Sequence, residues 1–175
     1  MKGEGKAAPL RLGGTFPSPS PPRKAISGRE REKAPVLVME TRFDHVGIAV
    51  RSLDEALPRW ERALGSRASE PEEVPTQRVR VRFLPVGESQ LELLEPTSPD
   101  SAIARFLEKR GEGLHHIALG VPNLREVLGR LEREGYRLID REPRRGARGH
   151  WVAFAHPSAL GGVLTEFVEP AGGRP

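Results

Sequence analysis

The chain has 175 residues, enough for one ordinary domain with a sizeable core, and no cysteine. Disulfides, thiolate metal sites and a cysteine nucleophile are therefore excluded, and imidazole and carboxylate remain as metal-ligand types. The formal charge of +4 belongs to residues 1–38, which hold eight Lys/Arg and three Asp/Glu; the rest holds 20 and 21, so global charge gives no argument for nucleic acid. No apolar run approaches the ~20 residues that span a bilayer, so the expectation is a cytoplasmic protein with no membrane partner.

Residues 1–38 read as a separate object. The run Phe16-Pro17-Ser18-Pro19-Ser20-Pro21-Pro22-Arg23-Lys24 cannot build a helix or an inner strand, because proline lacks the N–H and fixes φ. A disordered arm, a targeting peptide and a true start at Met39 are the three readings, and the last is favoured. A single domain is expected over 39–170, followed by a short tail at 171–175.

Phe43–Val50 is apolar and β-branched and predicts a strand. Ser52 with Glu55 three residues on predicts a helix start, and Gly65 its end. Leu53, Ala56, Leu57, Trp60 and Leu64 follow at helical spacing, with Pro58 tolerable only near the first turn. Val79, Val81 and Phe83 alternate with Arg80 and Arg82, a half-buried strand whose arginines, Arg78 included, are expected to share one face. Gln90–Glu95 predicts the next strand.

The pattern then returns. Residues 45–57 lie over residues 116–128, at an offset of 71 (116 − 45). Glu92-Leu-Leu-Glu-Pro96 lies over Glu166-Phe-Val-Glu-Pro170, at an offset of 74 (166 − 92). Two segments repeating in the same order imply a duplicated βαβββ module, at about 42–97 and 113–170, and hence an α+β fold. Each copy supplies one His from its first strand and one Glu from its last. About a pseudo-twofold axis, His45, Glu92, His116 and Glu166 can converge on a mixed N/O site suited to a divalent metal. Taken singly, a strand His is more often structural and a strand Glu solvated; the symmetry is what raises the set above that reading. His115 and His116 are adjacent and are expected on opposite strand faces. The repeat selects His116, and leaves His115 to support a ligand from behind or to pack. His150 and His156 have no repeat partner and are not assigned to the metal.

The paired modules resemble the vicinal oxygen chelate superfamily. Within it, three segments resemble methylmalonyl-CoA epimerase: Glu92–Pro96 with Asp100-Ser101; Ile103–His116; and His156-Pro157 with Gly161–Glu166. The similarity covers about residues 42–169. It implies two modules forming an incomplete barrel, with His45, Glu92, His116 and Glu166 holding one divalent ion (Co, Mn, Mg, Zn or Ni). It also implies methylmalonyl-CoA as substrate, an enolate intermediate, Glu166 as general base, and a homodimer. Some members carry a second glutamate where counting back from Pro85 puts Arg80, and arginine cannot act as a base at neutral pH. Arg80 is then either a partner of the substrate carboxylate, so that Arg80→Ala raises KM, or part of a solvated face. Arg144, Arg145 and Arg148 are candidates for the coenzyme A phosphates. The competing readings are a glyoxalase-type lyase or isomerase acting on another chelated substrate, and a non-catalytic ligand-binding protein of the same fold.

Overall fold

The computed structural model describes residues 40–172, so the readings for 1–38 and for Met39 lie outside the described residues. The first module runs β1 (Arg42–Ala49), α1 (Leu53–Leu64), β2 (Glu72–Val74), β3 (Val79–Val86) and β4 (Ser89–Pro96). Helix α2 (Ala102–Arg110) links it to the second, β5 (Gly113–Gly120), α3 (Leu124–Arg133), β6 (Arg144–Arg145), β7 (Trp151–Ala155) and β8 (Thr165–Glu169). The strands form one eight-stranded sheet in the order β2-β3-β4-β1-β5-β8-β7-β6. Each module is thus a four-stranded half with its first strand innermost, and the halves meet where β1 runs antiparallel to β5. The architecture is α+β, as the duplication predicts, and the half-barrel is the one that the resemblance implies.

Helices α1 and α3 start as the sequence predicts. Ser52 Oγ accepts from the N–H of Glu55 and Asn123 Oδ1 from that of Glu126. A second cap comes from the last strand of each module. Glu95 accepts from the N–H of Leu53 at 2.8 Å, and Glu169 from that of Leu124 at 2.7 Å. The two glutamates of each Glu-x-x-Glu-Pro segment therefore divide the work: the first faces the concave side and the second satisfies a helix N-terminus. Gly65 ends α1 in the left-handed conformation, φ 63°. Pro58 lies in the second turn of α1, not the first, and removes one N–H of the helical ladder; buried Leu53 and Leu57 hold the helix through it.

The sheet buries both faces. On the convex side Leu53 and Leu57 pack with Val50, Leu84 and Leu93, while Leu124, Val127, Leu128 and Leu131 pack with Ala153, Ala155 and Phe167. Truncating a fully buried leucine such as Leu93 to alanine is worth about 2–5 kcal/mol at sites of this kind. On the concave side Ile103 and Leu107 of α2 cover Ala49, Val79, Val81, Phe83 and Leu94 of the first half. Among the described residues the second half has no such helix, so α2 breaks the pseudo-symmetry and walls one side of an open cavity. Among the described residues no helix is long and apolar enough to cross a membrane.

Candidate metal centre

Strand pairing fixes what reaches the concave side at the seam. Gly47 pairs with Glu92 and with His116, and Ala118 pairs with His45 and with Glu166. Partners across a ladder share a face, so the four repeat-selected residues converge. All four are buried, with exposures of 6 % for His45, 6 % for Glu92, 3 % for His116 and 4 % for Glu166. His45 Nε2 lies 3.3 Å from His116 Nε2 and 3.2 Å from Glu166 Oε2, and His116 Nε2 lies 3.5 Å from that oxygen. Donor atoms about 2.0–2.2 Å from one ion at tetrahedral angles stand about 3.3–3.6 Å apart, so the triangle fits a single small divalent cation. Imidazole and carboxylate donors suit a borderline or hard ion. Glu92 Oε2 comes within 3.3 Å of His45 Nε2 and 3.6 Å of His116 Nε2, but the group whose ligand atoms all lie within 4.8 Å of one another is His45, His116 and Glu166.

The repeat extends behind these four residues. Phe83 packs edge-on to His45 with ring centroids 6.0 Å apart, and Phe154 edge-on to His116 at 5.3 Å; the phenylalanines are again 71 residues apart (154 − 83). Gly47 seats the His116 ring. A Cβ on Gly47 would stand 2.1–2.6 Å from three atoms of that imidazole. Gly47→Ala should therefore displace His116 and weaken divalent-ion binding at least tenfold while the protein stays folded, read by chelator competition beside a melting curve. Unchanged affinity would remove the glycine from the account.

Electrostatically the group is a buried concentration of carboxylate charge. Burial pulls the His45 imidazole down, but hydrogen bonds to Asp44, Glu166 and Glu92 outweigh it and push it up to about 12. Burial raises Glu166, and the hydrogen bonds and charges of His116 and His45 overcome it, holding the carboxyl at about 2. Burial and the neighbouring His116 lower His115 to about 4. A site that holds a proton this firmly between carboxylates is one where a metal cation can take the proton's place.

The group lies between two spaces of unequal size. A cavity of about 510 Å³ is lined by His116, His115, Phe154, Gln77, Ile103 and Arg144 among others. Opposite, only about 20 Å³ remains between His45, Glu92, Glu166, Gln77 and the loop at Ala147–His150. That loop is tied across to the first module: Arg148 N–H donates to Glu72, and Thr76 Oγ1 donates to the carbonyl of Arg145.

Several expectations change. Arg80 does not reach the site. Val79, Val81 and Phe83 take the concave face, so alternation turns Arg80 to the convex one, where it pairs with Glu95 at 3.0 Å beside the start of α1. Arg80→Ala should leave KM unchanged within about twofold and cost about 0–1 kcal/mol in unfolding; a severalfold rise in KM would restore the substrate role. Arg78 does not share a strand face with it either: it sits in the preceding turn at φ 56° and pairs with Asp100. What the turn sends to the site is Gln77, which borders both cavities and which the sequence did not single out. Of the three loop arginines, Arg145 stacks on Trp151 at 3.9 Å and Arg148 on Phe83 at 3.8 Å. Arg144 lines the large cavity, and its Nη1 is buried without a hydrogen-bond partner. His115 is not turned away from His116. The ladder is irregular there, and both imidazoles border the large cavity. His150, at the edge of the narrow space, accepts from the N–H of Ala171, and His156 bonds Ser158; neither belongs to the buried group.

The family model for the glyoxalase/bleomycin resistance protein/dioxygenase superfamily matches residues 44–154. The chain is 39 % identical over 126 residues to the mitochondrial methylmalonyl-CoA epimerase of Homo sapiens, covering 71 % of this chain and 72 % of that protein. It is 37 % identical over 127 residues to the ethylmalonyl-CoA/methylmalonyl-CoA epimerase of Cereibacter sphaeroides, covering 71 % and 95 %. Among solved structures, a substituted Streptomyces coelicolor methylmalonyl-CoA epimerase in complex with 2-nitronate-propionyl-CoA superposes with a TM-score of 0.73 at 38 % identity, over 77 % of this chain and 97 % of that one. The chain belongs to the glyoxalase/bleomycin resistance protein/dioxygenase superfamily and, within it, to the methylmalonyl-CoA epimerase family.

Proposed function

We propose that this chain interconverts the (R) and (S) forms of methylmalonyl-CoA through an enolate, using one divalent ion held by His45, His116, Glu166 and, as fourth ligand, Glu92. The observation that carries the reading is the buried group of His45, His116 and Glu166, whose His116 borders a 510 Å³ cavity, in a chain whose relatives bear the epimerase name. A bound ion would supply Lewis-acid polarisation of the thioester carbonyl, whose α-hydrogen is otherwise too weakly acidic to remove.

The remaining work falls to this chain's own side chains. Glu166 is the base: it lies on β8 at the seam, lining the narrow space with His45 and Glu92, and a carboxylate with one oxygen turned to the histidines has a second oxygen for the proton. Glu92, its repeat equivalent on β4, is placed to serve the other face of the same α-carbon. Arg144 offers an unpartnered guanidinium N–H to an anionic part of the substrate, and Phe154, Ile103 and Leu164 keep water from the α-carbon. The narrow side, shut by the Ala147–His150 loop, leaves the large cavity as the way in.

The test is stereochemical. Protein loaded with Co(II) or Mn(II) and given one epimer should bring it to an equal mixture, and a chelator should stop the conversion. A configuration that persists as in the blank would reject the function. Turnover of a hemithioacetal in its place would favour the glyoxalase-type alternative.

A further inference from the structure

We propose that Asp44 and His115, equivalent residues of the two modules, are the positioning residues that fix the two ligand histidines, and that they make those histidines unequal donors. The inference rests on the metal reading above. Asp44 and His115 are 71 residues apart, the same offset as His45 and His116 (115 − 44).

The β1–β5 ladder is irregular at two places. Phe43 pairs with Leu119 and His45 with Ala118, so Asp44 has no partner. Gly47 pairs with His116 and Ile48 with Leu114, so His115 has none. Each is the extra residue of a β-bulge, a device that breaks alternation and re-aims a side chain. Both side chains are thereby turned beside the histidine that follows. Asp44 Oδ1 lies 2.9 Å from His45 Nδ1, and His115 Nδ1 lies 2.9 Å from His116 Nδ1. Two bulges at equivalent positions, making the same contact at the same distance, are not explained by packing alone.

The contacts dictate the protonation of each ring. A carboxylate only accepts, so His45 carries its proton on Nδ1 and offers the Nε2 lone pair to the site. Two ring nitrogens can share only one proton. His116 needs Nε2 bare, so it donates from Nδ1, and His115 accepts there with its own proton on Nε2. The His115 ring is held edge-on to Phe106, with centroids 5.0 Å apart. A charged acceptor behind His45 makes that ring the more basic donor, and a neutral one behind His116 leaves it an ordinary imidazole.

The test is the affinity of the full chain for Co(II), measured against a chromophoric chelator, with thermal unfolding as the folding control. Asp44→Asn should weaken binding about 10–100-fold. His115→Leu should weaken it about tenfold, and His115→Gln, whose amide oxygen can still accept from His116 Nδ1, should recover most of the loss. A packing role would instead leave Leu at least as good as Gln. If the wild type binds Co(II) and the Asn, Leu and Gln variants all match it, this inference is overturned and the metal reading stands. A wild type that takes up no Co(II) overturns both.

Discussion

His116→Ala is expected to lose at least 100-fold in divalent-ion affinity and nearly all epimerase activity while keeping the fold. His116 supplies one corner of a triangle with edges of 3.2–3.5 Å, and no other described side chain can replace it. His150 and His156 are committed elsewhere, to Ala171 and Ser158. His115 is only one residue away, but its Nδ1 faces the ring that would be removed. The substitution also leaves a space beside Phe154 and Gly47, so some loss of stability accompanies it. Metal content after dialysis separates the two effects. A folded His116→Ala protein that retains one ion per chain would show that the ion sits elsewhere.

Glu166→Gln is expected to reduce epimerisation by 10²–10⁴-fold, the range for loss of a positioned general base. Gln keeps the shape and an oxygen for the ion, so the loss should fall on kcat, with a much smaller change in metal affinity. Glu92→Gln should behave differently. If two carboxylates serve opposite faces, this variant still exchanges the α-hydrogen of one epimer with solvent but no longer inverts it. Equal loss of exchange and inversion would mean that Glu92 acts only as a ligand.

The duplication and the four convergent residues were legible because they obey two simple rules. A repeat preserves chemistry at a fixed offset, and a strand ladder places partners on one face. Phe83 and Phe154 follow the same offset, yet two phenylalanines in apolar strands carry no chemical signal of their own. Arg80 stayed between two readings, a substrate partner and a solvated face, for a definite reason. Both faces of β3 are covered, one by α1 and one by α2 and the site, and alternation cannot say which face is which without the tertiary fold. The pairing of His115 with His116 was illegible because a bulge overrides the alternation from which faces are read. The large cavity was hidden for a different reason: α2, the turn at Thr76–Arg78 and β6–β7 meet only in three dimensions, and Gln77 belongs to that class.

The most direct test follows the α-hydrogen and the configuration together. One epimer of methylmalonyl-CoA is incubated in heavy water with Co(II)-loaded protein, and deuterium at the α-carbon is measured by mass spectrometry beside the ratio of epimers. The account predicts that each inversion places one solvent deuteron at the α-carbon, and that His116→Ala and Glu166→Gln suppress both signals. Inversion without deuterium, or no incorporation above the blank, would contradict it.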